Sequence, residues 1–520
     1  MYDLPPSTGS GSPSALWSKT GRTLLYAVLA GAALQFAPGF DELHWVPDDP
    51  LAFVPRLFRP GVAFDTEADE ALSTVVDDEA LIALGPKVGG PAHHRPPRPT
   101  DADDGEGDAG APSDEGFVIE SNAELPEAPD VEETPSGVPL LPIEDRQFAL
   151  RRFYRALDRV QGGDPDATVR VLHYGDSLIA GDYVTQTVRR LMQKKFGDGG
   201  HGFVLAGRPT RWYRRNNLKL WSSDGWTINR MTNPTIADGL YGLGGMTFRT
   251  RSAGQFVRFE PDPGEDSLNA GFSRAQIFYL GQPGGGKFEV DLDGRSVVVD
   301  TDIDAVASRL AEVQVADGPH VLRVRTLGGG EVRLFGAVFE REGPGVVYDS
   351  LGVDGARAKL LKRMNPPHWH DQLRLRHPDL LILHYGTNES QWRNLSADEF
   401  RADLSQTVGH LRQALPGVSC LMVGPMDRAE RGNGGTLRTM PVVLRIVRVQ
   451  REVAFAQGCA FWNTFEAMGG QGSMARWYRH RPQLAGGDLT HPTRMGADRV
   501  GAMMFSALMD GYARASEAGY

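Results

Sequence analysis

The chain has 520 residues, 41% of them hydrophobic, and a formal charge of −11. That length exceeds one ordinary domain and accommodates two folded units with extensions. Thirteen acidic residues and no Lys or Arg lie between Asp101 and Leu140, so the rest of the chain is close to neutral and gives no support for nucleic-acid binding.

Lys19 and Arg22 precede an apolar run over 24–37. It is short for a membrane span but fits the core of a signal sequence, and with Ala15-Leu16-Trp17 it stretches to a signal anchor. A cleavable signal and an uncleaved anchor both fit residues 1–45. The lack of a clean small-x-small site ahead of Asp41-Glu42 favours the anchor. The expected location is therefore extracytoplasmic: periplasm or cell envelope, tethered to the inner membrane. Residues 46–142 read as a disordered linker, Pro-rich over 90–99 and then acidic, with little to bury. His93-His94 reads as linker composition rather than as a metal site.

Folding is expected to begin near Ile143. An amphipathic helix over 144–161 places Leu150, Phe153, Leu157 and Val160 on one face. A strand over 169–174 then hands over through Gly175-Asp176-Ser177 to a helical pattern over 178–196, with apolar Val184, Val188, Leu191 and Met192. A serine at such a turn projects its hydroxyl from the carboxyl edge of a sheet, with its amide near a helix N-terminus. That placement suits a nucleophile.

From 201 to 345 the chain turns Gly-rich, with short alternating runs at 255–260, 275–280, 287–292, 296–300, 320–325 and 331–335. Asp293-Gly294 is a hairpin signal between two of them. This spacing predicts an antiparallel sandwich inserted into the first domain. Helix–strand alternation resumes afterwards: helix 356–364, strand 379–384, helix 397–414, strand 418–423, helix 442–456, strand 460–463 and a closing helix over 494–513. Apolar strands between helices predict a parallel sheet covered on both faces, with its site at the carboxyl ends of the strands. Polar clusters fall at four such ends: Asp176-Ser177, Gly386-Thr387-Asn388-Glu389, Gly424-Pro425-Met426-Asp427 and Asn463-Thr464. Cys420 and Cys459 sit in two of the apolar strands and read as buried thiols. A disulfide stays open if the protein is exported and the strands adjoin.

Taken alone, Gly-Asp-Ser, Gly-x-Asn and Asp-x-x-His are common. Their order carries information: Ser177 after the first strand, Gly352 in Tyr348–Gly355, Asn388 after an apolar strand, and Asp488-x-x-His491 before the last helix. With these four blocks over 146–200 and 346–515, the chain resembles the SGNH (GDSL-type) hydrolase superfamily. The β-rich insertion, Phe196–Phe203 and Tyr385–Glu389 look most like the bacterial peptidoglycan O-acetylesterases. Two departures are Glu389 in place of the usual Asp, and Asp354 in place of Asn.

The resemblance implies a three-layer, flavodoxin-like α/β hydrolase domain over 143–200 and 346–515, carrying a jelly-roll-like antiparallel sandwich over 201–345. It implies Ser177 as nucleophile, His491 as base and Asp488 as its orienting carboxylate. The oxyanion donors would be the Ser177 and Gly352 N–H groups and the Asn388 amide. No metal or cofactor is called for. The expected reaction is removal of O-acetyl groups from an extracytoplasmic glycan, chiefly peptidoglycan, through an acyl-serine. The alternatives are an O-acetyltransferase using the same intermediate and a non-catalytic glycan-binding scaffold. No lid-like apolar segment supports a lipase. Asp176 is expected to shape the turn and His173 and His384 to lie in the core, while Asp427 is a further pocket candidate. Trp212, Tyr213, Trp221 and Trp226 line a sugar surface or pack the insert. Oligomeric state stays open.

Overall fold

In the computed structural model the described residues are 78–82, 84 and 137–519, apart from 265, 433 and 434. The apolar run over 24–37, the acidic tract and His93-His94 lie outside them. Among the described residues no helix is long and apolar enough to cross a membrane.

The elements run α1 (Asp78–Ile82), α2 (Arg151–Gln161), β1 (Thr168–Gly175), α3 (Ser177–Ala180) and α4 (Tyr183–Phe196). Then come β2 (Gly202–Leu205), β3 (Leu218–Ser222), β4 (Thr227–Arg230), β5 (Met246–Thr250), β6 (Phe256–Pro261) and β7 (Phe272–Gly281). They continue with β8 (Lys287–Leu292), β9 (Arg295–Asp300), β10 (Ala307–Gly318), β11 (Leu322–Gly328), β12 (Val332–Glu340) and β13 (Gly345–Gly352). A 3-10 turn (Ala358–Arg363) leads to α5 (Pro366–Arg376), β14 (Leu380–His384), α6 (Ala397–Ala414) and β15 (Ser419–Val423). The chain closes with β16 (Ala429–Arg431), β17 (Leu437–Thr439), α7 (Pro441–Ala456), β18 (Ala460–Trp462), α8 (Thr464–Ala467), α9 (Ser473–Arg479) and α10 (Arg494–Glu517).

Five strands pair in parallel in the order β13-β1-β14-β15-β18. Numbered along the chain this is 2-1-3-4-5, the flavodoxin-like order, whose switch point lies between β1 and β14. Alternate residues serve two cores, as the two-residue strand period requires. Val169, Val171, Ile382, Leu421 and Val423 pack with Phe153 and Leu157 of α2, Val188 of α4 and Phe505 of α10. Leu172, Tyr174, Leu381, Leu383 and Met422 face the other way, toward Leu404 of α6 and Ile446 of α7. The expected α/β architecture with added antiparallel sheets is the one observed.

The antiparallel strands of the insert form two sheets, β10-β7-β12-β5-β4 (with β2 on β12) and β3-β6-β11-β8-β9, and β16 pairs separately with β17. Asp293-Gly294 does join β8 to β9. Phe203, Phe248, Phe278 and Phe335 from these sheets share one continuous core with Leu172, Tyr174 and Trp369. Tyr174 Oη also donates to Leu243 O at 3.0 Å. The insert is therefore built onto one face of the parallel sheet, with no separate core of its own.

Several expectations need correction. The helix expected over 144–161 starts only at Arg151, because the Asp145 carboxylate accepts the Ala149 and Leu150 N–H groups at 2.7 and 3.0 Å and turns the chain first. The helix expected over 178–196 breaks at Gly181-Asp182, where Asp182 is left-handed. Its buried carboxylate collects Arg189, Thr185, Ser350 and the Asn216 N–H, which fixes that break. Within the expected linker, α1 packs on α4: Leu81 is buried, and Asp78 pairs with Arg190 and Lys194. The cysteines read as buried thiols are joined, since β15 and β18 are neighbours and bring Cys420 and Cys459 to a Cα–Cα distance of 4.7 Å.

Candidate active site

The carboxyl ends of the three strands at the switch point are level: Gly175 of β1 lies opposite Gly352 of β13 on one side and His384 of β14 on the other. Two glycines allow this. A Cβ on Gly175 would come within 2.3 Å of the Ile179 side chain and 2.8 Å of His384 O. A Cβ on Gly352 would meet Ala180 N at 2.0 Å, so Gly352 lets α3 settle onto the end of β13. The absence of its side chain therefore serves the serine-bearing turn first.

Asp176 N-caps α3, its buried Oδ1 accepting the Leu178 N–H at 3.2 Å, and burial raises its carboxyl to about 6. It shapes the turn, as expected. Ser177 opens α3, with its Oγ 3.0 Å from Nε2 of His491. On the other side of the ring, Nδ1–H donates to Asp488 Oδ2 at 2.6 Å, leaving Nε2 as the basic nitrogen facing Ser177. Residues 314 positions apart thus form one relay.

The loop carrying Asp488 and His491 is held by backbone bonds. Leu489 O accepts from Ala429 N at 3.0 Å, and His491 O accepts from Gly486 N at 2.8 Å. Asp488 Oδ1 accepts the Thr490 and His491 N–H groups at 3.1 and 3.0 Å. Partial burial alone would raise the Asp488 carboxyl, but the His491 and Thr490 hydrogen bonds outweigh it and bring it down to about 2. In return, the Asp488 hydrogen bond lifts His491 above its ordinary 6.5. The two side chains remain 53% and 46% exposed, so the relay opens onto the surface, within reach of a polymer.

Asn388 sits in the turn after β14. Its Nδ2 donates to Ala356 O at 3.0 Å and its Oδ1 accepts from Gln391 at 3.2 Å. One amide hydrogen is thereby used for orientation and one remains. Glu389 was not assigned a role from sequence, yet it braces this region: its buried carboxyl accepts Ala358 N at 2.9 Å and Gly386 N at 3.1 Å. That ties the segment after Gly352 to the Asn388 loop. Burial pushes its carboxyl up to about 7. Arg428 adds a brace from β16's approach, donating to Thr387 O at 3.2 Å and Ser390 Oγ at 3.0 Å. No sequence signal marks it.

Other candidates fall elsewhere. Asp427 is fully buried, accepting Met474 N at 2.8 Å and Thr439 Oγ1 at 3.1 Å, so it anchors α9 and is not in the site. His173 and His384 stack in the core, ring centroids 5.5 Å apart. Tyr213 and Trp226 are buried packing residues, whereas Trp212 and Trp221 are exposed. Asp354 accepts from Thr210 Oγ1, and Arg214 N donates to Ala180 O at 3.3 Å, so a loop of the insert borders α3. Among the described residues no group of His, Cys, Asp and Glu is arranged to hold a metal.

The GDSL-like Lipase/Acylhydrolase family model matches residues 315–499. The chain carries an SGNH (GDSL-type) hydrolase domain. It is a carboxylic ester hydrolase. The match begins inside the antiparallel region and omits the Ser177 block, which the insert separates from the remainder of this hydrolase. A solved peptidoglycan O-acetylesterase has the same fold, with a TM-score of 0.59 and 24% identity over 72% of this chain and 99% of that one. A family two carbohydrate esterase from Clostridium thermocellum is a more remote match, with a TM-score of 0.24 and 12% identity over 56% and 98% of the two chains. Comparison with curated proteins returns no match.

Proposed function

We propose that this hydrolase removes O-acetyl groups from an extracytoplasmic glycan, peptidoglycan in the first instance, through an acyl-serine intermediate. The observation that carries the mechanism is the unbroken run from Ser177 Oγ through His491 to Asp488, at 3.0 and 2.6 Å. His491 Nε2 takes the hydroxyl proton as Ser177 attacks the acetyl carbonyl, and then returns it to the departing sugar hydroxyl. Asp488 fixes the tautomer and stabilises the imidazolium. The oxyanion is received by the N–H groups of Ser177 and Gly352 and the free amide hydrogen of Asn388. Each such donor stabilises the transition state by about 3 kcal/mol. Water then releases acetate by the same route.

The half-exposed relay supports a polymeric substrate, and the fold shared with a peptidoglycan O-acetylesterase supports the choice of glycan. The signal or anchor reading of residues 1–45 supports an enzyme outside the cytoplasm, and its anchor form supports a tether to the inner membrane. The Cys420–Cys459 disulfide supports an oxidising compartment. Acetate release should be faster from O-acetylated peptidoglycan than from acetylated xylan, and the opposite ranking would defeat the substrate assignment. Added acceptor sugar should leave acetate release unchanged; acetylated acceptor in place of acetate would identify a transferase.

Catalysis requires neutral His491, and Asp488 raises its proton affinity. The acid limb of kcat/KM for 4-nitrophenyl acetate is therefore expected above pH 6.5. Asp488→Asn should shift that limb downward while lowering the plateau. A limb that stays in place in the variant would mean that His491 is not the titrating base.

A further inference from the structure

The surface beside Asn388 carries groups that the ester chemistry leaves unused. Trp392 follows the Asn388 turn and is 46% exposed. Its loop is fixed by Trp392 N–H to Glu389 O at 3.1 Å and Leu395 N–H to Trp392 O at 3.0 Å. The Arg357 guanidinium lies 3.7 Å from the centre of the indole, and the Lys359 ammonium 6.0 Å from it. With Gln391, Arg393 and Glu399 these side chains line an open depression of ≈ 500 Å³. The depression adjoins the ester site, because Ala356, the neighbour of Arg357, orients the Asn388 amide and Gln391 holds its oxygen.

The charges here are unequal. Three cations face the single carboxylate of Glu399. Lys359 is paired with Asp403 at 3.5 Å and Arg393 with Glu430. Among the described residues no carboxylate lies within 4.0 Å of Arg357. Stacking occupies the face of the guanidinium and leaves its N–H fork at the edge, the geometry that receives a carboxylate with two hydrogen bonds. The indole, 46% exposed, offers an apolar plane of the size of a pyranose ring.

We infer that this depression is a subsite for a carboxylate-bearing sugar unit of the substrate strand, with Trp392 stacking on the ring and Arg357 pairing with the carboxylate. Its position along the substrate rests on the esterase reading of Ser177; its binding chemistry does not. A neutral acetylated glycan can use the indole but not the arginine, so the subsite selects acidic glycans over neutral ones. The selection should weaken as salt screens the exposed pair.

The test uses the full chain carrying Ser177→Ala, so that binding is read without turnover. The probes are peptide-free peptidoglycan glycan strands with free lactyl carboxylates and the same strands after amidation. The free-acid strands are expected to bind at least tenfold tighter. Adding Arg357→Gln should shrink that preference to within twofold, with Arg357→Lys restoring part of it. Trp392→Ala should weaken both forms at least fivefold, and Trp392→Phe much less, with melting temperatures confirming folded protein throughout. Equal binding of the two strands, or an undiminished preference in Arg357→Gln, overturns the subsite. Absence of acetate release by the unsubstituted chain, with the preference intact, overturns the esterase reading alone.

Discussion

Replacing Ser177 by Ala is expected to lower kcat/KM for 4-nitrophenyl acetate by roughly 10⁴-fold or more. The hydroxyl 3.0 Å from His491 Nε2 is the only atom the relay can activate at that position, and methyl cannot attack a carbonyl. Residues acting as a unit lose their separate contributions together. His491→Ala should therefore cost about as much as Ser177→Ala, and the double variant little more than either. Asp488→Asn should cost less than the nucleophile, since the backbone bonds at Leu489 and His491 still hold the loop when the carboxylate is gone. Steady-state kinetics on folded variants decides the matter. Near-native hydrolysis by Ser177→Ala would remove Ser177 from the chemistry. Additive losses in the double variant would separate His491 from it.

The parts legible in the sequence were those governed by local pattern. Helix α6 over Ala397–Ala414 and strand β8 over Lys287–Leu292 follow from apolar spacing and fall where that spacing puts them. Ser177, Asn388 and His491 were recognisable because motif order along the chain survives a long insertion. What could not be read depends on distant partners. The break at Asp182 is set by Arg189, Asn216 and Ser350, which the sequence scatters over more than 160 positions. Strand β4 sets one apolar residue, Ile228, among Thr227, Asn229 and Arg230, so alternation does not announce it. Glu389 looked like a departure from a motif. Its two backbone acceptor bonds show a longer carboxyl arm spanning between loops. The disulfide was undetermined until the order of the parallel strands was known.

Arg376→Met is expected to destabilise the folded hydrolase by about 3–5 kcal/mol, because it strips the counter-charge from buried Asp349 and one of three arginines from buried Glu340. Arg376, on α5, is 1% exposed in its side chain; Nε donates to Asp349 at 2.6 Å and Nη1 to Glu340 at 2.6 Å. Glu340 ends β12 of the antiparallel region, while Asp349 lies within β13 of the parallel sheet. One guanidinium thus joins the two sheet systems across their shared core. After its removal Glu340 keeps Arg170 and Arg274, but Asp349 is left chiefly with the Phe203 N–H at 2.8 Å. The melting temperature should fall by roughly 5–15 °C. Arg376→Lys should fall in between, retaining the charge but not the fork. Burial would raise the Glu340 carboxyl, but Arg376 and Arg170 outweigh it and hold it well below its ordinary 4.5. A carboxyl depressed on folding contributes stability above its unfolded value and loses that contribution as the pH falls. The gap between Arg376→Met and the unsubstituted protein should therefore be full at neutral pH and narrow below about pH 4.5. A pH-independent gap would trace the loss to packing of the arginine stem. A loss under 1 kcal/mol would mean that the shared apolar core and the remaining polar links, Arg170–Glu340 among them, hold the insert to the parallel sheet without Arg376.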